Sequence, residues 1–246
     1  MELLIYIIIG FVAQLIDGSL GMAYGVISRT FLRTIAGLPS VIASAVVHCS
    51  EIPVSFISGV SHWKMKNVMK DMLLKLMIPG VIGGILGAYF LSSIGEIIEP
   101  FINIYLIVMG ILILYKGIKN KQAKKDIGNS IYPIGLLGGF FDATGGGGWG
   151  PVVTSTMIAR GNDAKKTIGT VNIAEFVVTI AEVTTFVALI QDFSKYFNII
   201  IGLVLGGVAA APIAAYLCTK ISIRPLLISV GLLIIILNIY SLLNIG

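Results

Sequence analysis

Most of the chain consists of apolar runs of about 20 residues, the length at which a helix crosses roughly 30 Å of hydrocarbon. Hydrophobic residues make up 57% of the 246 residues and charged residues only 12%, a composition typical of membrane proteins. Lys and Arg lie mostly in the short connections between the runs. The net charge of +5 therefore indicates orientation in a membrane and not a nucleic-acid partner. The sequence predicts an all-α, multi-pass protein whose solvent is the lipid bilayer.

One of the apolar runs is interrupted by a glycine cluster, Gly145 to Gly148, which is followed by Trp149 and Gly150. Each glycine costs roughly 1 kcal/mol of helix propensity. At membrane depth, broken helical backbone is tolerated only where it is buried in protein or lines a cavity. The functional question is therefore what binds at this break.

The break recurs in weaker form near the start of the chain. Shifting the sequence so that Asp17 falls on Asp142 also aligns Gly21, Tyr24 and Gly25 with Gly146, Trp149 and Gly150. After a one-residue gap, Glu51 falls on Glu175. The sequence therefore predicts two homologous halves, residues 1–116 and 131–246, joined by a basic cytoplasmic linker at 117–130.

Each half is expected to contain one interrupted segment followed by three continuous spans. The interrupted segments are 3–33 and 131–158, and the spans are 38–60, 71–93, 98–116, 165–190, 196–218 and 223–243. An interrupted segment is either a re-entrant helical hairpin or a pair of short helices that meet at the break. If it enters and returns, the basic residues of 160–166 share the cytoplasmic side with those of 61–70 and of the linker.

Three full crossings in each half make the two halves inverted repeats and place both termini outside, in the cell inner or plasma membrane. This scheme leaves Arg29 and Arg33 on the external side. Inverted repeats with a broken helix at matching positions are typical of secondary transporters that bind their substrate near the midplane.

An anion is the ligand that the break favours. A helix that starts near Gly150 and Pro151 would direct free N–H groups and about half a positive charge at the break. Glycines ahead of this helix would let a tetrahedral oxyanion approach the bare backbone. A second helix that starts after Gly21 or Gly25 would face it, so that the anion is bound without a buried Arg or Lys. The alternative is that the glycines only permit a sharp turn and tight packing.

Two groups of candidate residues follow from the break and its repeat. Ser19 and Thr144 are candidate hydroxyl donors to the anion. The predicted substrate-binding residues are Ser19, Gly21, Gly25, Thr144, Gly145, Gly146, Gly147, Gly148, Trp149, Gly150 and Asn172. The residues predicted to serve in coupling or to support the site are Gln14, Asp17, His48, Glu51, Asp142 and Glu175.

Carboxylates inside membrane runs are expensive and are seldom passive. Those within or near the runs are Asp17, Glu51, Asp142, Glu175 and Glu182. Asp17 and Asp142 directly precede the breaks. They therefore either hold the broken backbone or contact the substrate.

Two polar pairs share the same spacing in the two halves. Glu51 lies three residues after His48, and Glu175 lies three residues after Asn172, which places each pair on one helix face. A carboxylate beside an anion path repels the substrate unless it is protonated, which indicates proton coupling through Glu51, Glu175 or His48. Hydrogen-bonded support of the broken helices is the alternative.

Five motifs together resemble the TauE/SafE family of membrane transporters, the sulfite exporter or toluene-sulfonate uptake permease family. They are Gln14–Gly25, Val47–Glu51, Ser61–Lys64 with Asn67 and Val68, Gly138–Pro151, and Gly169–Asn172. The resemblance covers nearly the whole chain and implies transport, usually export, of small sulfur-containing anions such as sulfite or organosulfonates. Ser19, Leu20, Met22 and Ala23 interrupt the first glycine motif, so we expect an asymmetric site with most backbone contacts from the second half.

Other functional classes are less compatible with the sequence. An enzyme is not expected, because His48 and Ser50 are two residues apart and would face different sides of a helix. With only two histidines, no structural zinc site or other cofactor is predicted. Two alternatives to an anion transporter stay open. One is a cation pathway or channel that uses the intramembrane carboxylates as ligands, and the other is a membrane scaffold without flux.

Overall fold

A computed structural model of the chain describes residues 2–118, 128–190, 193–220 and 223–243. All regular secondary structure in these ranges is helical, as predicted. The helices are α1 (Glu2–Leu20), α2 (Tyr24–Thr34), α3 (Ser40–Lys64), α4 (Lys70–Ile118), α5 (Ile131–Gly145), α6 (Ser155–Ala159), α7 (Ala164–Leu189), α8 (Phe197–Cys218) and α9 (Ile223–Leu243). A π-helical turn, Gly150–Thr154, leads directly into α6. Residues 119–127 of the predicted linker lie outside the described residues.

Several of these helices are long and apolar enough to cross a membrane, which confirms the multi-pass prediction. Among the described residues the candidate spans are Leu3–Leu20, Ser40–Lys64, Lys70–Gly95, Ala164–Leu189 and Phe193–Cys218. Pro100–Tyr115 is a shorter apolar helix. The two spans predicted at 71–93 and 98–116 are two helical segments of α4, which meet at a kink where Ile94 departs from helical geometry (φ −138°, ψ 25°).

One side of α4 carries exposed apolar side chains, as expected for a surface that faces lipid. Leu74, Ile78 and Ile82 lie on successive turns, and their side chains are 63%, 63% and 50% exposed. Such a contiguous exposed apolar surface is unusual for a soluble protein. The opposite side of α4 carries small residues, including Gly80 and Gly83, that approach other helices closely.

Two long helix pairs join the two halves of the chain. Helix α1 packs along α8, and α5 packs along the first part of α4. A Cβ atom at Gly206 would collide with the carbonyl oxygen of Ile7 in α1, and one at Gly83 would collide with the carbonyl oxygen of Leu136 in α5. Each interrupted segment therefore packs tightly against a span of the other half, as is usual where small residues let membrane helices approach.

The basic connections lie together at one end of the helix bundle. Lys165 Nζ donates to the carbonyl oxygen of Thr219 at 3.0 Å, and Met69 N donates to Thr170 Oγ1 at 2.8 Å. Arg224 Nε donates to the carbonyl oxygen of Gly117, at the start of the linker, at 3.0 Å. These contacts are those expected if the α5–α6 segment enters and returns to the same side.

Replacing Gly83 with valine is expected to destabilise the fold, because the new side chain collides with the α5 backbone and forces the helices apart. Overpacking of this kind costs about 1–3 kcal/mol of unfolding free energy. Thermal unfolding of the purified protein in detergent should therefore occur at a lower temperature. Ile85→Val is the control, since Ile85 is on the same helix and 42% exposed. An unchanged melting temperature for Gly83→Val would contradict the close approach of α4 and α5.

Candidate functional site

The two helix breaks pack directly against each other inside the bundle. A Cβ atom at Gly25 would collide with the carbonyl oxygen of Gly146, and one at Gly150 would collide with the carbonyl oxygen of Gly21. Thr154 Oγ1 donates to that same Gly21 oxygen at 2.6 Å. The glycines therefore bring backbone against backbone, which is the packing role that the sequence offered as an alternative. The same contact gathers the polar groups of both breaks into one small region.

Each break turns through the left-handed region of backbone space at an equivalent position. Gly21 has φ 67° and Gly146 has φ 63°, values that glycine adopts without the strain other residues incur. In the first break, Ala23 also has a positive φ of 103°. These turns end one helix and start the next within a few residues.

The two aspartates hold the breaks in the same way. Asp142 Oδ1 accepts a hydrogen bond from Trp149 N at 2.9 Å, and Asp17 Oδ1 accepts one from Tyr24 N at 3.4 Å. Both bonds span seven residues. A carboxylate at the start of a helix satisfies a free N–H group and is favoured by the helix dipole. This geometry fits the backbone-holding alternative for Asp17 and Asp142.

His48 lies at the centre of a buried polar group. Its Nδ1 atom is 2.8 Å from Glu51 Oε2 and 3.3 Å from Glu182 Oε2. Its Nε2 atom is 3.3 Å from the backbone oxygen of Asp142. The ring stacks on Phe186, with centroids 6.0 Å apart. His48 therefore links α3 to α5 and α7, and its bond to Glu51 follows the spacing on one helix face.

Asn172 and Glu175, the matching pair in the second half, are arranged differently. Asn172 Oδ1 accepts from Ser58 Oγ at 2.6 Å, and its Nδ2 donates to the carbonyl oxygen of Ile168 at 3.0 Å. Asn172 therefore ties α7 to α3. Glu175, which is 5% exposed, interacts electrostatically with the other buried acids. We call the set of Asp17, Glu51, Asp142, Glu175 and Glu182 the carboxylate cluster.

Arg29 corrects one sequence-based expectation. Its side chain is 1% exposed, and it is the one buried Lys or Arg among those whose side chains the structure describes. It contacts the second break, because a Cβ atom at Gly146 would collide with Arg29 Cδ. The expectation of a site without a buried basic residue was wrong, since the face of α2 that carries Arg29 packs against the partner break.

The Arg29 guanidinium has unused hydrogen-bonding capacity. Its Nη2 donates to Ser40 Oγ, whereas Nε has no hydrogen-bond partner among the described residues. The guanidinium is also close enough to His48 to interact with it electrostatically. A buried cationic donor without an acceptor is costly, so this corner of the site favours an anionic acceptor.

The two predicted hydroxyl donors are engaged within their own helices. Ser19 Oγ donates to the carbonyl oxygen of Leu15 at 2.6 Å, and Thr144 Oγ1 donates to that of Phe140 at 2.8 Å. Both lie beside a break, but an anion would have to displace these bonds. Gln14, in contrast, has an Nε2 atom without a hydrogen-bond partner among the described residues.

The remaining residues of the second break differ in how tightly they are packed. Trp149 is fully buried, and its Nε1 donates to the carbonyl oxygen of Val171 at 3.2 Å. A Cβ atom at Gly148 would collide with the backbone of Phe141, whereas one at Gly145 would make an ordinary 3.5 Å contact with Tyr105. Trp149 and Gly148 therefore fix the break, and Gly145 is its least crowded glycine.

Comparison with known proteins identifies the family. The family model described as "Sulfite exporter TauE/SafE" matches residues 6–241. The chain belongs to this family. A curated TauE/SafE-like relative, "Probable membrane transporter protein YtnM" of Bacillus subtilis (strain 168), is 40% identical over 252 aligned positions, which cover 99% of this chain and 83% of the relative. The resemblance found in the sequence is thus confirmed, and this TauE/SafE member is a membrane transporter.

Sequence reasoning missed two residues of the candidate site in this TauE/SafE member. Arg29 was assigned to an external surface, and Glu182 was noted as an intramembrane carboxylate but left out of the candidate set. Their positions depend on how α2 and α7 pack against the breaks. No local spacing in the sequence marked Arg29, which the structure shows buried together with the other residues from Tyr24 to Thr30 and with Leu32.

Proposed function

We propose that the protein is a secondary transporter of a small sulfur-containing anion, such as sulfite or an organosulfonate, and that it acts as an exporter. The family description names sulfite export. The observation that carries the proposal is the Arg29 guanidinium, which is buried against the second break with its Nε unpaired among the described residues. The anion binds between the breaks and beside Arg29.

The chemistry of Arg29 suits this class of ligand. A guanidinium presents several N–H donors in a fixed plane and forms strong, charge-assisted bonds to oxyanions. Asp17 and Asp142 already occupy the N–H groups of Tyr24 and Trp149, so backbone alone offers fewer donors than the glycine pattern indicates. The positive charge that balances the anion therefore comes from Arg29. The glycines let the anion approach the backbone closely and supply adjoining N–H groups.

The two halves act as inverted repeats that alternate access to this site. Reciprocal packing of α1 on α8 and of α5 on α4 supports this arrangement, because each interrupted segment packs in an equivalent way against a span of the other half. The basic connections at one end of the bundle face the cytoplasm, and both termini lie outside the inner or plasma membrane. Rocking of one half against the other would open the interlocked breaks to either side.

Protons balance the charge of the transported anion. The five members of the carboxylate cluster interact with one another, and they cannot all be ionised in a medium of low dielectric constant. An ionised cluster would also repel an incoming anion. Proton uptake by Glu51, Glu175 or His48 therefore accompanies anion binding.

The proposal is tested by ligand-dependent thermal stability of the purified protein in detergent. Sulfite or a small alkanesulfonate should raise the melting temperature, because a ligand at 100 times its Kd adds about 2.7 kcal/mol of stability. Chloride at equal ionic strength should leave it unchanged. Stabilisation that is equal for chloride and sulfite, or absent with both sulfur anions, would contradict a specific site.

A cation pathway is the second candidate, and the carboxylate cluster is the observation that favours it. Rings of acidic side chains select cations in channels. Selective binding or flux of a monovalent cation, with no response to sulfur anions, would support this candidate in place of the first.

A further inference from the structure

Three buried side chains from three different helices converge behind the second break. His48 of α3, Asp142 of α5 and Glu182 of α7 each offer one ligand atom, and these atoms all lie within 4.8 Å of one another. All three residues are 0% exposed. We call them the His48 triad.

The triad contains carboxylate oxygens that the protein leaves unpaired. Glu182 Oε1 and Asp142 Oδ2 have no hydrogen-bond partner among the described residues, and Glu182 Oε2 has only the 3.3 Å contact with His48 Nδ1. The other oxygen of Asp142 is occupied by Trp149 N. Buried carboxylates are normally paired, hydrogen-bonded or bound to a metal. The unpaired oxygens therefore point to a positively charged ligand at the triad.

The spacing and the donor types identify the class of cation. Imidazole is a ligand of Zn²⁺ and neighbouring divalent transition metals, whereas Na⁺, Mg²⁺ and Ca²⁺ sites rely on oxygen. His48 Nδ1 and Glu182 Oε2 are 3.3 Å apart. Two ligand atoms of a tetrahedral ion are expected to lie about 3.3 Å from each other when each is about 2.0 Å from the metal. Glu51 Oε2 is 2.8 Å from the same nitrogen; it would lose this hydrogen bond when the ion binds Nδ1, which leaves the Glu51 carboxylate free to take up a proton.

We propose that the His48 triad binds a divalent transition-metal cation of the Zn²⁺ class, held between α3, α5 and α7. The ion would neutralise two members of the carboxylate cluster and tie the second break to both halves of the bundle. This inference goes beyond anion transport and does not depend on which anion is carried. With the ion bound to His48, proton uptake falls to Glu51 or Glu175. The sequence predicted no metal site because the chain has only two histidines; the three ligands are far apart in the chain and come together only in the fold.

Direct binding of Co²⁺ to the purified, metal-stripped full chain tests the site. Co²⁺ occupies zinc-type sites and gives visible absorption bands that report its ligands. The wild type should bind about one Co²⁺ per chain, and excess Zn²⁺ should displace it. Glu182→Gln should weaken Co²⁺ affinity by about tenfold or more. Asp142→Asn is the second variant, since its amide oxygen can still accept from Trp149 N.

Asp71→Asn is the control. It removes an exposed carboxylate in the first turn of α4 that lies outside the carboxylate cluster. It should bind Co²⁺ with wild-type affinity. Absence of stoichiometric binding to the folded wild type, or equal affinity in wild type and Glu182→Gln, would overturn the inference. Loss of anion binding with Co²⁺ binding intact would instead contradict only the proposed function.

Discussion

Arg29→Gln is expected to abolish saturable sulfite or sulfonate transport while the protein remains folded in the membrane. Arg29 supplies the buried positive charge beside the second break, and its Nε atom has no acceptor among the described residues. Removing one partner of a buried, hydrogen-bonded charge pair costs about 2–5 kcal/mol, which corresponds to a loss of affinity of about 30-fold or more. Uptake into proteoliposomes and ligand-dependent melting should therefore both be lost.

Two companion variants make the Arg29 result specific. Arg33→Gln removes the same side chain one helical turn farther along α2, where Arg33 donates to the carbonyl oxygen of Leu38, and it should retain transport. Arg29→Lys keeps the charge but loses the planar fork, so it should bind the anion more weakly than wild type. Wild-type transport by a folded Arg29→Gln protein would contradict the role of Arg29.

Glu51→Gln is expected to remove the dependence of transport on a pH gradient before it removes anion binding. Glu51 contacts His48 at 2.8 Å and belongs to the carboxylate cluster. When Glu51 is ionised, it adds to the repulsion of an anion, and when it is protonated, it does not. Glutamine mimics the protonated state at every pH, so the variant should bind the anion but fail to couple it to protons.

The groups that interact with Glu51 come from several helices around the site. They are Asp17 of α1, Tyr24 of α2, His48 of α3, Asp142 of α5, and Glu175 and Glu182 of α7. Asp71→Asn is the control, because Asp71 is an exposed carboxylate in the first turn of α4. Flux should be measured with and without an imposed pH gradient. If transport by Glu51→Gln depends on the pH gradient as strongly as transport by the wild type, Glu51 has only a structural role in supporting the site.

Local features of the site could be predicted from the sequence because they depend on short spacings. The glycine pattern placed both breaks, at Gly21 and at Gly146, where the backbone turns left-handed. The repeat placed Asp17 and Asp142 at equivalent positions, and both hold the following helix by the same bond. The three-residue spacing put His48 and Glu51 on one face. Each of these follows from helix geometry within about 10 residues.

Features that depend on helix packing could not be predicted in this way. Arg29 is buried because α2 lies against the second break, and Glu182 reaches His48 because α7 lies against α3. Neither contact can be predicted from the spacing of residues along a single helix. The predicted topology left Arg29 on the external side, whereas it lies in the middle of α2 and is buried.

The glycines show how one pattern serves two roles. Their predicted role was access of an anion to bare backbone, and the structure shows close contact between the breaks through Gly25 and Gly146. In an alternating-access cycle these roles succeed each other, because the breaks must separate to admit a ligand and then close again. The site is thereby built from the interface that the two halves share.

Flux through proteoliposomes that contain only the purified chain tests the central claim most directly. Uptake of sulfite, a small alkanesulfonate and simple cations should be compared with and without a pH gradient. Anion transport predicts saturable sulfite or sulfonate flux that the gradient drives and that Arg29→Gln abolishes. Flux of cations alone, or conductance of channel size, would contradict it.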